Sequence, residues 1–416
     1  MAEPLRSDVL RDWLAGVAGP VVAWEQIVAG NSRTTWSAEV QAGHDRIGVI
    51  VRTEAGDGPF EGTELSLARE AAAYRAVEGR GIKTPRLLGF DAGLNAIAMT
   101  RLPGTAEWAP ETLPSLLAEV ARLHDLDVGE LPLDGFARTA RGDLELWARL
   151  AAAKVAVPDP FVDFALQFLR EHDPGEPERL VFCHGDVGPG NFLHVDGAVT
   201  GLLDWEFAHV GDPLDDLAWI SLRAVLFGLQ LPEFGDAVRA HYRPRHAVAL
   251  DDRRLEYWQA VVILRNLVTC LASIHNPSRG RDRLVHHMLV PSLHAMLPAA
   301  LARIAGVELE PVAPPQGPET LPGGDVLDEL ATALGELAGN LGDRDQRTRA
   351  KRMRFLLAQL AQTWTLAPEI ARLDAADGPP ADDPAERIAQ LHRAAQRRLA
   401  LFPRARPMTE APVQSF

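Results

Sequence analysis

The sequence predicts an α+β protein in which a small antiparallel sheet comes first, a larger helical region follows, and a small all-α region ends the chain. Two patterns carry this prediction: apolar residues alternate in short runs up to about residue 102, and they recur at helical spacing beyond it. A Pro/Gly-rich break over 308–324 indicates a linker. We therefore divide the chain into a sheet lobe (1–102), a helical lobe (103–310), a linker (311–324), a C-terminal helical domain (325–402) and a flexible tail (403–416).

The composition is ordinary for a soluble globular protein. The chain has 416 residues, 47% of them hydrophobic, and a formal net charge of -15. This charge argues against a nucleic-acid binder, which needs a basic surface. The two cysteines form no CxxC pair, and neither a signal peptide nor a long apolar run is evident. We therefore expect a cytoplasmic protein without a membrane span, and the sequence leaves the oligomeric state open.

The sheet lobe alternates strands with two helices. The predicted helices cover 7–17 and 63–77, and the predicted strands cover 21–28, 36–40, 46–52, 85–90 and 96–101. On the second helix Leu67, Ala71 and Tyr74 form one apolar stripe, and Glu70 lies beside it. A charge near a buried face needs a counter-charge, so we expect Glu70 to pair with Arg52 at the end of the third strand.

After residue 102, apolar residues recur at helical spacing along most of the chain. The main predicted helices cover 144–169 with a break at two prolines, 221–228, 234–242, 253–275, 285–304, 326–341, 347–364 and 384–401. Another helix is predicted to begin at Asp212, an N-cap residue followed by Pro213 in the first position. The three helices over 326–401 are long enough to bury a small core together, so we expect them to fold separately. Six basic residues lie between Arg344 and Arg354. Such a run is usually a solvated face; contact with an anionic ligand or with the acidic larger lobe is the alternative.

The most informative stretch runs from Leu180 to Trp219. A buried strand leads into a Gly/Pro-rich loop, and a hairpin follows around Asp196-Gly197. Asn191 enters the first arm and Asp204 leaves the second, so both side chains emerge at one end, with Asp186 in the loop before them. Their oxygens are hard ligands of the kind that Mg²⁺ takes. If Asn191 and Asp204 hold the metal, Asp186 is free to act on a substrate hydroxyl.

These motifs carry a family resemblance. His184-Gly185-Asp186, four residues, Asn191, then Asp204-Trp205-Glu206 and the GDPLDDLAW segment resemble the aminoglycoside phosphotransferase and choline kinase group of protein-kinase-like enzymes. Within that group the DWEFAHVGDPLDDLAW segment looks most like the kinase-like domains associated with acyl-CoA dehydrogenases. The resemblance implies a two-lobed protein-kinase-like fold, with Asp186 as the catalytic base and Mg²⁺ on Asn191 and Asp204. The C-terminal helices resemble a helical tail of unknown function beside some bacterial phosphotransferases.

The resemblance also implies nucleotide-binding positions in the sheet lobe. Arg52, held by its paired glutamate, would position the phosphates of ATP or GTP. Asn31 and Ser32 would approach phosphate from the AGNSRTTW turn, although an ordinary hairpin is the alternative there. Met99 and Arg101 mark the hinge between the lobes, where backbone groups hydrogen-bond the nucleotide base.

The predicted activity is an ATP-dependent transfer of phosphate to a hydroxyl group of a small molecule. Aminoglycosides or macrolides, choline-like amines and hydroxyacyl metabolites all fit as acceptors. Candidates for lining the acceptor pocket are Trp258, Arg265, Asn266 and His275, of which the first and last are equally core residues. A nucleotide-binding pseudokinase and a scaffold acting through its C-terminal helices are the alternatives. The intact Asp186 favours an enzyme, because a pure binder has no need of a base.

Overall fold

The computed structural model describes residues 3–27, 33–54, 58–229, 231, 234–244, 251–276, 283–317 and 323–402. The helices are α1 (Glu3–Ala18), α2 (Leu67–Val77), α3 (Leu113–His124), α4 (Ala140–Lys154), α5 (Pro160–Glu171), α6 (Pro213–Leu226), α7 (Phe234–Ala237), α8 (Asp252–His275), α9 (Leu284–Ala305), α10 (Gly324–Asn340), α11 (Arg344–Ala376) and α12 (Pro384–Leu399). The strands are β1 (Val21–Ile27), β2 (Thr34–Ala42), β3 (Asp45–Thr53), β4 (Leu87–Asp91), β5 (Ala96–Thr100), β6 (Val181–Cys183), β7 (Phe192–Val195), β8 (Ala198–Leu202) and β9 (His209–Gly211).

The first five strands form one antiparallel sheet in the order β1-β2-β3-β5-β4. Side chains alternate between its faces. Val49 and Val51 pack with Leu10 and Leu14 of α1 on one face. Ile50 points to the other face and joins the core that includes α2. Arg52 shares the parity of Ile50, so its side chain is directed towards α2 and the larger lobe.

The predicted α+β architecture is confirmed, with two differences along the helices. The helix predicted to begin at Asp212 and the one predicted over 221–228 are a single helix, α6, with Asp212 as its N-cap. Helix α11 continues twelve residues past the predicted end at Trp364 and passes through Pro368. Leu366, Ile370 and Leu373 continue the helical spacing in these turns, but Pro368 among them is a residue that usually ends a helix.

Helix α8 runs through the centre of the larger lobe. Helices α8 and α9 are long and apolar enough, by length and composition alone, to cross a membrane. In the folded chain 83% of the most apolar stretch of α8 and 50% of that of α9 is buried within the protein. Such burial is what the core helices of a globular protein show.

The C-terminal helices divide between two partners. Helix α10 packs chiefly on α11, whereas α12 packs chiefly on α9 of the larger lobe. Ile388, Leu391 and Leu399 of α12 are buried and belong to the same hydrophobic cluster as α8 and α9. The sequence pattern predicted that the three helices share a core of their own, but in the described residues α12 buries its apolar stripe on the larger lobe. The domain boundaries at 311 and 325 stay predictions.

This packing predicts that α12 stabilises the larger lobe. Leu391→Ala should lower the free energy of unfolding by ~2–5 kcal/mol, the usual cost of emptying a packed core site. Leu360→Ala on α11 is the matched control, because Leu360 is 49% exposed. Its expected effect is within ~0.5 kcal/mol. Urea unfolding of both variants measures the difference, and equal small effects would show that α12 adds nothing to the lobe.

Candidate active site

The loop after β6 is held in place by a buried carboxylate. Asp216 on α6 accepts hydrogen bonds from the backbone N–H of His184 and of Gly185, each at 2.8 Å. The Nε2 atom of His124 lies 3.0 Å from the same carboxylate. Asp212, four residues earlier, caps α6 by accepting a hydrogen bond from the backbone N–H of Leu214 at 2.9 Å. The residue that orients the loop is therefore Asp216.

Asp186 lies in this loop, 7% exposed, and both of its carboxylate oxygens have donors. The amide Nδ2 of Asn191 donates to Oδ2 at 2.6 Å, and Nη1 of Arg223 donates to Oδ1 at 2.6 Å. Burial raises the pKa of the Asp186 carboxyl above its usual value, and Arg223 partly opposes the rise. A carboxylate so held is fixed in direction.

Asp204 leaves the hairpin at the same end at which Asn191 enters it. The backbone N–H of Leu203 donates to the carbonyl of Asn191 at 2.9 Å, which ties the two strand ends together. Asp204 adopts the left-handed region with φ 65°. Its Oδ1 accepts from Nη2 of Arg52 at 2.8 Å. Burial alone would raise the pKa of Asp204, but the nearby Arg52 holds it below its usual value.

The Arg52 and Glu70 pair expected from the sequence is in contact. Nη1 of Arg52 donates to Oε1 of Glu70 at 2.8 Å, and Glu70 is fully buried. Burial by itself would lower the pKa of the Arg52 guanidinium, but nearby acidic groups, the Asp204 carboxylate first among them, outweigh burial and raise it. Arg52 therefore stays charged and bridges the two lobes.

A second buried arginine, which the sequence did not single out, joins this group. Arg33 has 1% of its side chain exposed and forms an ion pair with Glu70. Its Nη2 lies 3.4 Å from Oε2 of Glu206, and its Nε lies 3.5 Å from Oε1 of Glu54. Burial, followed by the Asp204 carboxylate, raises the pKa of Glu206 to about 7. The only sequence signal for Arg33 was its place in the AGNSRTTW turn.

Arg223 is the other residue that sequence reasoning missed. Besides Asp186, it donates from Nε to the carbonyl of Pro189 at 2.8 Å, and its Nη2 lies 3.4 Å from Oδ1 of Asn191. Two glycines give it room: a Cβ at Gly188 or Gly190 would lie 3.1 Å from the Arg223 side chain. The Gly-rich loop and this arginine therefore fit as one unit.

Of the remaining residues predicted to bind the nucleotide, the structure describes Met99 and Arg101. Met99 is buried in β5, where its backbone pairs within the sheet. The backbone N–H of Arg101 donates to the carbonyl of Gly48 at 2.8 Å, and its side chain pairs with Glu39 on β2. The structure does not bring either side chain to the loop after β6, so their role at the hinge stays a prediction. Asn31 and Ser32 lie outside the described residues.

The loop after β6 and the end of the hairpin open into a cavity of about 510 Å³. Asp186, Asn191 and Asp204 all line it, together with Glu206 and Arg223. Of the four acceptor-pocket candidates, Asn266 lines the cavity. Arg265 is buried against Asp215, Trp258 is a core residue, and Nδ1 of His275 accepts from the backbone of Ala156.

The oxygen atoms at one end of the cavity fit a hard divalent cation. Because the Nδ2 atom of Asn191 donates to Asp186, its Oδ1, which also accepts from Nη2 of Arg223 at 3.4 Å, is the atom that can act as a ligand. Asp204 supplies a carboxylate kept ionised by Arg52, and Glu206 lines the same wall. One amide oxygen and carboxylates are a donor set that suits Mg²⁺.

Known proteins with similar sequences or folds include small-molecule phosphotransferases. The profile of the phosphotransferase enzyme family matches residues 23–258, more than half of the chain. An aminoglycoside 3'-phosphotransferase of Streptomyces fradiae is 30% identical over 225 residues, covering 48% of this chain and 80% of that protein. Acyl-CoA dehydrogenase family member 10 of Mus musculus is 30% identical over 129 residues, covering 29% of this chain and 12% of that protein.

Solved structures show the same architecture. Choline kinase LicA from Streptococcus pneumoniae superimposes with a TM-score of 0.53 at 13% identity, covering 71% of this chain and 98% of the choline kinase. At this level of identity the similarity establishes the fold alone. The predicted two-lobed, protein-kinase-like fold is confirmed.

Proposed function

Because the chain belongs to the phosphotransferase enzyme family, we propose that it transfers the γ-phosphoryl group of ATP or GTP to a hydroxyl group of a small molecule. The observation that carries this proposal is the meeting of Asp186, Asn191 and Asp204 in one cavity. A base, a set of metal ligands and room for an acceptor are the parts that phosphoryl transfer requires.

Asp186 has the position of the base. The acceptor oxygen forms a bond to the γ-phosphorus, the bond from that phosphorus to the bridging oxygen breaks, and the nucleoside diphosphate leaves. The hydroxyl proton passes to a carboxylate oxygen of Asp186. Since both of its oxygens are already held by Asn191 and Arg223, the carboxylate needs little reorganisation when the acceptor arrives.

Arg52 has the position of the phosphate-binding cation. Glu70 fixes one nitrogen of its guanidinium, and Asp204 fixes the other. A planar guanidinium held in this way is well suited to two parallel bonds with phosphate oxygens. Asn191 and Asp204 would hold Mg²⁺, which, when bound, neutralises charge on the nucleotide phosphates. We expect the enzyme to act in the cytoplasm, consistent with its two free buried thiols.

The test is direct phosphotransfer by the purified full chain. We would incubate it with Mg·ATP or Mg·GTP and a panel of hydroxyl compounds covering aminoglycosides, macrolides, choline and hydroxy acids. Mass spectrometry would detect a phosphorylated product and a coupled assay the nucleoside diphosphate. Nucleotide binding without any phosphorylated product would count against the proposal and favour a nucleotide-binding scaffold.

Arg223 should set the acidic limit of this activity. Asp186 must be ionised to accept a proton, so activity is present above its pKa and is lost as the pH falls through it. Arg223→Leu removes a cation that opposes the upward shift of that pKa, while the Asp204 carboxylate and the His184 imidazole, its other titratable neighbours, remain. The acidic limb of the pH profile of kcat/KM should therefore move to higher pH.

The control for this prediction is Arg223→Lys, which keeps the positive charge and should move the limb less. Profiles can be recorded with any accepted hydroxyl compound or with water as the acceptor. Superimposable profiles for the wild type and Arg223→Leu would remove Arg223 from any role in tuning the base.

A further inference from the structure

Helices α10 and α11 form an antiparallel hairpin. A Cβ atom at Gly335 would lie 2.9 Å from the side chain of Arg354, and one at Gly324 would lie 3.6 Å from Oγ1 of Thr365. Later positions of α10 therefore lie level with earlier positions of α11. Helix α10 packs chiefly on α11, whereas α11 also contacts α9 and α12. The hairpin is thus attached to the rest of the protein through α11.

Large apolar side chains are exposed along both helices of this hairpin. Their exposed fractions run from 42% to 61%, and on each helix they recur at helical spacing. The antiparallel register sets them level, to within one residue, in three rungs across the hairpin. The rungs are Val326 with Trp364, Leu330 with Leu360, and Leu337 with Met353.

The two apolar stripes lie on one side of the hairpin, which we call the α10–α11 face. Leu337 comes one residue before the buried Ala338, and Leu360 comes one residue before the buried Ala361. Because antiparallel helices are related by a two-fold axis normal to their plane, an equal offset from the buried seam places both stripes on the same side. Phe355, on the opposite side of α11, packs against the core cluster of the larger lobe. The α10–α11 face therefore points away from that lobe.

The area of the α10–α11 face suits a pair of copies. At roughly 100 Å² for each half-exposed side chain, the face measures on the order of 600 Å², the upper end of what a monomer exposes in one patch. Two such faces in contact would bury on the order of 1,200 Å², the lower limit of a specific interface. A pair of hairpins also supplies the four helices that close a bundle core.

The charges of the two helices make the hairpin complementary to itself. Helix α10 carries four acidic residues and no lysine or arginine, whereas the segment 344–354 of α11 carries six basic residues and one acidic residue. A two-fold axis along the hairpin would set the acidic α10 of one copy against the basic α11 of the other. An axis across the hairpin would set α10 against α10, where like charges repel.

We propose that the α10–α11 face joins two copies of this chain in a symmetric dimer. The two hairpins form a four-helix bundle, in which α10 of each copy lies against α11 of the other and the three rungs build its layers. The inference does not depend on the proposed phosphotransfer. A dimer would also stabilise the fold by mass action, so the urea comparison of Leu391→Ala with Leu360→Ala belongs at concentrations where the chain is monomeric.

Sedimentation velocity of the full chain measures this association. Between roughly 1 and 100 µM, a range that brackets a micromolar dissociation constant, the wild type should pass from monomer to dimer. Leu337→Gln and Leu360→Gln should each weaken the dimer at least roughly tenfold, because every dimer loses the apolar side chain twice. Arg349→Glu should weaken it too, since Arg349 is exposed one turn before Met353 and would meet the acidic α10 of the other copy.

Val157→Gln is the matched control. It also replaces an exposed apolar side chain by glutamine, and Val157 is 63% exposed in the connection between α4 and α5. This variant should keep the wild-type dissociation constant, and circular dichroism checks that every variant is folded. A wild type that stays monomeric over the whole range, or equal dissociation constants for Leu337→Gln and Val157→Gln, would overturn the inference. An unchanged dimer in Arg349→Glu would contradict the placement of α10 against α11.

Discussion

Asp186→Asn is expected to lower phosphotransfer by ~10²–10⁴-fold while Mg·ATP still binds. Asparagine keeps the size of the side chain and its contact with Asn191, but it cannot accept the proton of the acceptor hydroxyl. Asp186 lies in the loop before the hairpin, and the nucleotide contacts proposed here belong to Arg52 and Asp204. The loss should therefore appear in kcat, with nucleotide affinity by calorimetry close to that of the wild type.

Asp196→Asn makes the same chemical change on the same hairpin, at the exposed turn and outside the cavity. It should leave turnover unchanged. Thermal unfolding of both variants separates a lost base from a lost fold, because Asp186→Asn also gives up the ion pair with Arg223. A variant with asparagine at 186 that turns over at the wild-type rate would refute the assignment of the base.

The local part of this site was predictable because the hairpin itself fixes it. Asp186, Asn191 and Asp204 fall within nineteen residues, and a two-residue turn requires the strand ends to meet. The pair of Arg52 and Glu70 was also accessible, since a strand end and the following helix are close in the chain and a buried charge needs a partner. In each case short-range geometry restricts the possible neighbours.

The arginines that complete the site were not predictable in the same way. Arg33 reaches Glu206, and Arg223 reaches Asp186, across long stretches of chain. An isolated arginine has no periodic pattern, and its sequence context does not show which carboxylate it will meet. The contact of Arg223 with Asp186 becomes evident only from the packing of α6 on the loop after β6, where Gly188 and Gly190 leave room for the arginine.

The C-terminal helices show the same limit at the level of packing. Their apolar stripes predicted three helices, and α10, α11 and α12 are present. A stripe shows that a face is buried, but not on which partner. Helix α12 buries its stripe on α9, and α11 directs Arg352 to the cavity. The role of the basic run over 344–354 could not be decided from the sequence. In the structure Arg352 of this run lines the cavity, whereas Lys351 beside it is exposed to solvent.

Asp204→Asn should weaken nucleotide binding, whereas Asp186→Asn should lower kcat and leave nucleotide affinity unchanged. Asp204 is in the left-handed region, which asparagine also tolerates, so the backbone should keep its course. The substitution removes the charge that faces Arg52 and the proposed Mg²⁺ ligand beside Asn191. We expect nucleotide affinity in the presence of Mg²⁺ to fall by at least about 10–100-fold, the range known for the weaker perturbation of outer-shell partners.

The decisive measurement is the Mg²⁺ dependence of ATP binding, by calorimetry with Mg²⁺ and with EDTA. In the wild type, and in Asp186→Asn, Mg²⁺ should strengthen binding; in Asp204→Asn the two conditions should give similar affinities. This contrast separates two carboxylates that lie in one cavity, because only one is proposed to hold the metal. If Asp204→Asn keeps the full effect of Mg²⁺, the ligand must be sought elsewhere on the same wall, where Glu206 offers the next carboxylate.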